Sequence, residues 1–145
     1  MIKIKKGFRM SVKKIYTVDD YPLAAYTIKR TIETFSKHEC EVLDFESPLV
    51  LLERFKKEFQ DVDLVVTDYE MPNLRGNELI AKLRELKPDI KIIVISAWLD
   101  TSTGAERHLV EKEVKALKPD LILSKPIRHQ WIEELDAILE REVSC

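Results

Sequence analysis

The chain has 145 residues, 45% hydrophobic and 34% charged, with only 3 Gly and 6 Pro. That composition suits one globular domain with a single core and excludes collagen-like, low-complexity and disordered chains. The net charge of −2 hides an asymmetry: Lys3, Lys5, Lys6, Arg9, Lys13 and Lys14 crowd residues 1–14 without an acid, leaving an acidic body that argues against nucleic acid as the main partner.

Residues 1–12 read as a basic, solvated tail, and residues 13–145 as the folded domain. Met10 opens a stretch that would itself make a natural beginning. The tail lacks the long apolar core of a secretory leader, and no apolar run is long enough for membrane insertion. Residues 15–18 form a buried strand ending at Asp19 and Asp20. Pro22 opens an amphipathic helix to about residue 35, with Leu23, Tyr26, Ile28, Ile32 and Phe35 at its apolar positions. Residues 40–45 are a weaker strand. Ser47 before Pro48 reads as an N-cap, and that helix continues through Phe55 and Phe59. A short apolar strand at 63–67 ends at Asp68. After the loop MPNLRG, a helix over 77–86 stops at Lys87-Pro88. Residues 90–95 (IKIIVI) carry the clearest strand pattern. Thr103 with Glu106 suggests a capping box for a helix ending near Leu117. A last strand at 121–123 and a last helix at 128–142 complete five strands and five helices in alternation.

Strands apolar on both faces and separated by helices imply a parallel α/β sheet, doubly wound, with function at the carboxyl ends of its strands. The polar residues fall at those ends. Asp19 and Asp20 follow the first strand, Asp68 the third, Ser96 the fourth and Lys125 the fifth. Singly, each has an ordinary explanation, as a helix cap, a turn residue, a buried hydroxyl or a loop lysine. Together on one sheet edge they make a chemical site. Packed carboxylates repel one another unless a cation joins them, and Mg²⁺ is the hard, oxygen-seeking ion that suits them. With an ammonium and a hydroxyl added, the set fits phosphoryl transfer, in which one carboxylate can be the nucleophile.

The segments VDD, TDYEMPNLRG, ISA and SKP, in that order, resemble a bacterial response regulator receiver domain from about residue 13 to 142. The D-x-x-M-P-x-x-x-G stretch from Asp68 to Gly76 is the most specific of them. The resemblance implies a flavodoxin-like sheet of order 2-1-3-4-5, with the first, third and fourth strands as central neighbours. It implies that Asp68 is the phosphoacceptor. Asp20 would be the direct Mg²⁺ ligand, Asp19 would act through water, and the Glu70 backbone carbonyl would be a further ligand. Ser96 and Lys125 would bond phosphoryl oxygens, and Pro126 would hold the following loop. The implied partners are a histidine kinase or phosphotransfer protein and a downstream protein. The expected location is the cytoplasm, where Cys40 and Cys145 would be free thiols.

Three departures accompany the match. Ile122 stands where the family usually has an aromatic switch residue, three positions before the lysine. The segment between Ser96 and Lys125 is long, with Lys118-Pro119-Asp120 before the last strand in place of a small Gly-Ala pair. Trp98 is large for a position facing the phosphorylation pocket, and predicts a long-lived phospho-Asp68. His38, His108 and His129 lack metal spacing and read as surface residues. The stripe Ala105, Leu109, Val110, Val114 and Leu117, and that of Trp131 with Ile132, Leu135, Ile138 and Leu139, read as core faces. The expectation is a stand-alone receiver with no fused output domain and no metabolic turnover, with a homodimer left open. Two rivals remain: a Mg²⁺-dependent phosphatase of the haloacid dehalogenase type, which would want Asp-x-Asp where this chain has Asp68 and Glu70, and a pseudo-receiver acting purely as an interaction module.

Overall fold

The computed structural model describes residues 4–5, 8–9, 12–97 and 104–141. Two short strands, β1 (Ile4–Lys5) and β2 (Phe8–Arg9), pair antiparallel. The expected frayed tail therefore contains a paired segment, and the alternation of Ile and Lys before Gly7 has the strand period that permits it. The main sheet follows, with β3 (Lys13–Val18), β4 (Cys40–Phe45), β5 (Leu64–Asp68), β6 (Lys91–Ser96) and β7 (Leu121–Ser124). Its order is β4-β3-β5-β6-β7, and every pairing is parallel. Counting these five alone, that is the 2-1-3-4-5 order the resemblance implied.

Burial separates centre from edge. All five residues of β5 are buried, whereas β7 is half-buried throughout and β4 buries only Val42. Successive residues of the central strands feed opposite cores, as the pleat requires. Tyr16, Val65, Ile92 and Val94 pack beneath α2 (Pro48–Glu58), α3 (Gly76–Leu86) and α4 (Gly104–Ala116). Ile15, Val66, Ile93 and Ile95 pack beneath α1 (Pro22–Phe35) and α5 (Trp131–Glu140).

The helix boundaries have local causes. Pro22 opens α1 at a position where its missing N–H costs nothing. The Ser47 hydroxyl accepts the N–H groups of Leu49 at 3.2 Å and Val50 at 3.4 Å, capping α2 as expected. α2 ends at Glu58 and tightens into a 3₁₀ turn, Phe59–Asp61. α5 begins at Trp131, later than expected, because Trp131, Ile132 and Glu133 donate to Arg128, His129 and Gln130, an i to i+3 pattern that is not yet α-helical. Thr103, the expected cap of α4, lies outside the described residues, as does Trp98.

Two apolar stripes differ from expectation. In α1, Ala25, Ile28 and Ile32 are buried, but Leu23 (60%), Tyr26 (50%) and Phe35 (52%) are exposed. In α4, Val110 and Val114 are buried while Leu109 faces solvent. The stripe around Trp131 is core, as expected. Asp136 is buried in α5 and accepts from the Ser36 hydroxyl at 2.5 Å and the Lys37 N–H at 3.0 Å, tying the end of α1 to α5. His38 sits 2.9 Å from Glu140, and His129 stacks on Phe35. Among the described residues no helix is long and apolar enough to cross a membrane.

Candidate functional site

The chain leaves the sheet at the carboxyl ends of β3, β5, β6 and β7, and the expected site residues stand at those exits. Asp19 directly follows β3 and is buried; its Oδ1 accepts the Tyr21 N–H at 2.9 Å, which fixes the turn into α1. Its Oδ2 accepts from Lys125 Nζ at 2.9 Å. Asp68 is the last residue of β5, is buried, and lies 3.4 Å from the same ammonium. Asp20 is exposed beside them. One carboxylate oxygen from each of Asp19, Asp20 and Asp68 lies within 4.8 Å of the others. Ser96 is buried at the end of β6, one residue past Ile95, the register partner of Asp68. Its carbonyl accepts the Lys125 N–H at 3.2 Å. All five side chains thus come to one sheet edge.

The charges there do not balance. Burial, then the neighbouring Asp19 charge, raises the Asp68 carboxyl to about 7, against the opposing pull of Lys125. Burial alone would lower the Lys125 ammonium, but the Asp19 hydrogen bond and the Asp68 charge outweigh it and raise its pKa. Among the described residues, Lys125 is the one ammonium paired with this cluster of three carboxylates, so a hard divalent cation fits the donor set.

The loop after β5 is held rigidly. Met71 and Leu74 are buried, and Asn73 takes the left-handed conformation at φ 73°. Gly76 is needed for close approach: a Cβ there would lie 2.9 Å from the Tyr69 Cα and 3.1 Å from the Asp68 carbonyl oxygen. Glu70 turns its carboxylate to Arg75 at 3.6 Å. Tyr69 is fully buried, and its hydroxyl donates to Glu113 Oε1 of α4 at 2.7 Å. Burial and that bond push the phenol well above its ordinary range. Sequence spacing offered no signal for this pair, which is separated by 44 positions. Ile122 is half-buried against the α2–α4 side of the core. Beside Lys125 opens an apolar cleft of about 540 Å³, whose walls include Tyr21, Leu23, Thr27, Pro126 and Ile127.

The family described as the response regulator receiver domain matches residues 15–135. The chain is 34% identical over 110 residues to the cyclic di-GMP phosphodiesterase response regulator RpfG of Xanthomonas campestris pv. campestris (strain 8004), covering 72% of this chain and 28% of that protein. It is 33% identical over 85 residues to the DNA-binding transcriptional regulator NtrC of Azospirillum brasilense, covering 57% of this chain and 15% of that one. The chain therefore spans only a minor part of these curated relatives. A response regulator receiver domain protein from Clostridium thermocellum has the same fold, with a TM-score of 0.70 at 24% identity over 88% of this chain and 91% of that one. Because the family match runs from β3 into α5, across every strand of the parallel sheet, this chain is a response regulator receiver domain of the kind found in two-component systems.

Proposed function

We propose that this protein accepts one phosphoryl group on Asp68 from a histidine kinase or phosphotransfer protein, in a Mg²⁺-dependent reaction, and passes that state to a partner protein. The observation that carries the reading is the cluster of Asp19, Asp20, Asp68 and Lys125 on one sheet edge. An Asp68 oxygen attacks phosphorus, the bond from phosphorus to the donor breaks, and the donor leaves with the electron pair and takes up a proton. Lys125 then pairs with a phosphoryl oxygen, and the Ser96 hydroxyl donates to another.

Asp19, Asp20, Asp68 and the Glu70 backbone carbonyl would hold the Mg²⁺, whose charge offsets that of the phosphoryl oxygens when bound. Both Asp19 oxygens already have partners, while Asp20 is exposed. This supports Asp20 as the direct ligand and Asp19 as one acting through water. The apolar cleft next to Lys125 gives a donor protein a surface to dock on beside Asp68. The receiver unit comprises residues 13–145, preceded by the basic segment 1–12, and works in the cytoplasm in signalling rather than metabolic turnover.

Intact-mass measurement after incubation with acetyl phosphate and Mg²⁺ tests the reading. One phosphoryl adduct is expected in the parent, and none in Asp68→Asn or without Mg²⁺. An adduct that persists in Asp68→Asn would place the acceptor elsewhere.

A further inference from the structure

We propose that Tyr69, Arg75 and Glu113 form a clasp that holds α4 against the β5–α3 loop in the unphosphorylated protein and opens when Asp68 is modified; this rests on Asp68 being the phosphoacceptor. The phenol of Tyr69 donates to Glu113 Oε1 at 2.7 Å. The Arg75 guanidinium lies 3.7 Å from the same carboxylate and 3.6 Å from Glu70, with its carbon 5.4 Å from the centre of the Tyr69 ring. Two side chains of one loop, Tyr69 and Arg75, thus close on a single acid of α4.

The loop end of the clasp is stiff. The Tyr69 N–H donates to the Ile95 carbonyl of β6 at 3.0 Å, and its carbonyl accepts the Gly76 N–H at 2.9 Å. With the backbone pinned on both sides and Gly76 packed beneath it, a shift at Asp68 passes directly to its chain neighbour. The moving end is the hydroxyl, and what it holds is α4. On β7, Ile122 offers only apolar packing, so it cannot make the polar contact that Tyr69 makes.

The sign follows from which links give way first. Modification at Asp68 adds a bulky tetrahedral group one residue before Tyr69, whose backbone is bonded to β6 and to Gly76. Both Arg75 ion pairs are longer than the roughly 2.7–2.9 Å of a charge-assisted hydrogen bond, so the cation is committed to neither acid. Those long contacts and the single phenol bond to Glu113 yield before the pinned backbone does, and their loss frees α4. Coupling of this kind is reciprocal: if modification opens the clasp, opening the clasp must favour the modified state.

Beryllium fluoride, a phosphoryl mimic that binds carboxylates reversibly, gives the test as a binding equilibrium. Its Kd with Mg²⁺ is measured by titration calorimetry in the parent, Tyr69→Phe and Glu113→Gln, and the protection of α4 amides by hydrogen exchange. Tyr69→Phe should bind about fivefold or more tightly than the parent, within the usual range of such couplings. Its unliganded α4 should exchange as the parent's does when loaded. Glu113→Gln, at a half-exposed helix position that tolerates the change, should shift binding in the same direction by less. Unchanged or weaker binding in both variants overturns the clasp alone. A parent that binds no beryllium fluoride overturns the phosphoacceptor reading, and the clasp with it.

Discussion

At the scale of single residues the controlling fact is the proton on Asp68. The folded protein holds its carboxyl at about 7, against 3.8 for the ordinary side chain. Between those values the folded state binds more protons than the unfolded one, so unfolding becomes easier as pH rises. The stabilising contribution is complete below about 4 and is lost as pH climbs through about 7. In buffer with EDTA, Asp68→Ala should therefore gain stability relative to the parent at pH 8, by the order of a few kcal/mol, and much less at pH 5. Thermal melts at the two pH values measure this, and an equal difference at both would refute it. Asp19, Asp68, Ser96 and Lys125 were legible because each lies at or within two residues of the carboxyl end of an apolar strand. Tyr69 was not, because a tyrosine inside a loop motif carries no sign of an acid 44 residues away.

Among the elements, the β5–α3 connection does the most with the least sequence. A single glycine lets α3 start directly beneath Tyr69, and adding a methyl group at Gly76 would set it 2.9 Å from main chain that cannot yield cheaply. Gly76→Ala should cost about 1–3 kcal/mol by the usual toll of overpacking and reduce loading at Asp68, since the same segment carries both. Urea melts read the first effect and intact mass the second; a variant with parental stability and loading would show that the loop adjusts freely. Helix starts were well marked in the sequence, by Pro22 and by Ser47 with Pro48, because capping chemistry is local. Which apolar residues of a helix face inward was less legible. Leu23 and Tyr26 lie on the far side of the helix from Ile28 and Ile32, and Phe35 shares their face but stands in the last turn, so counting apolar residues without their angle overstated the buried stripe. The late start of α5 had no residue signal either, since i to i+3 and i to i+4 turns share the same side chains.

For the molecule as a whole, the site is built from strands that meet only in the finished sheet. Anything that binds there selects the folded chain, so Mg²⁺ with beryllium fluoride should raise the midpoint of global unfolding. The expected gain is about 2.7 kcal/mol at a hundred times the Kd, and none is expected in Asp68→Asn. A differential scan showing equal midpoints with and without ligand would mean that the site is not assembled from the whole sheet. Fold class was legible from alternation alone, because a buried parallel strand has little freedom in its composition, whereas strand order came only through resemblance. The ion pair between Asp19 and Lys125 joins positions 106 residues apart. A ribosome must therefore deliver the chain past residue 125, and the sheet must close, before this cluster exists for any ligand to recognise. Under the proposed function, immature and damaged copies carry no acceptor, so only molecules that have passed their own quality control would relay the message.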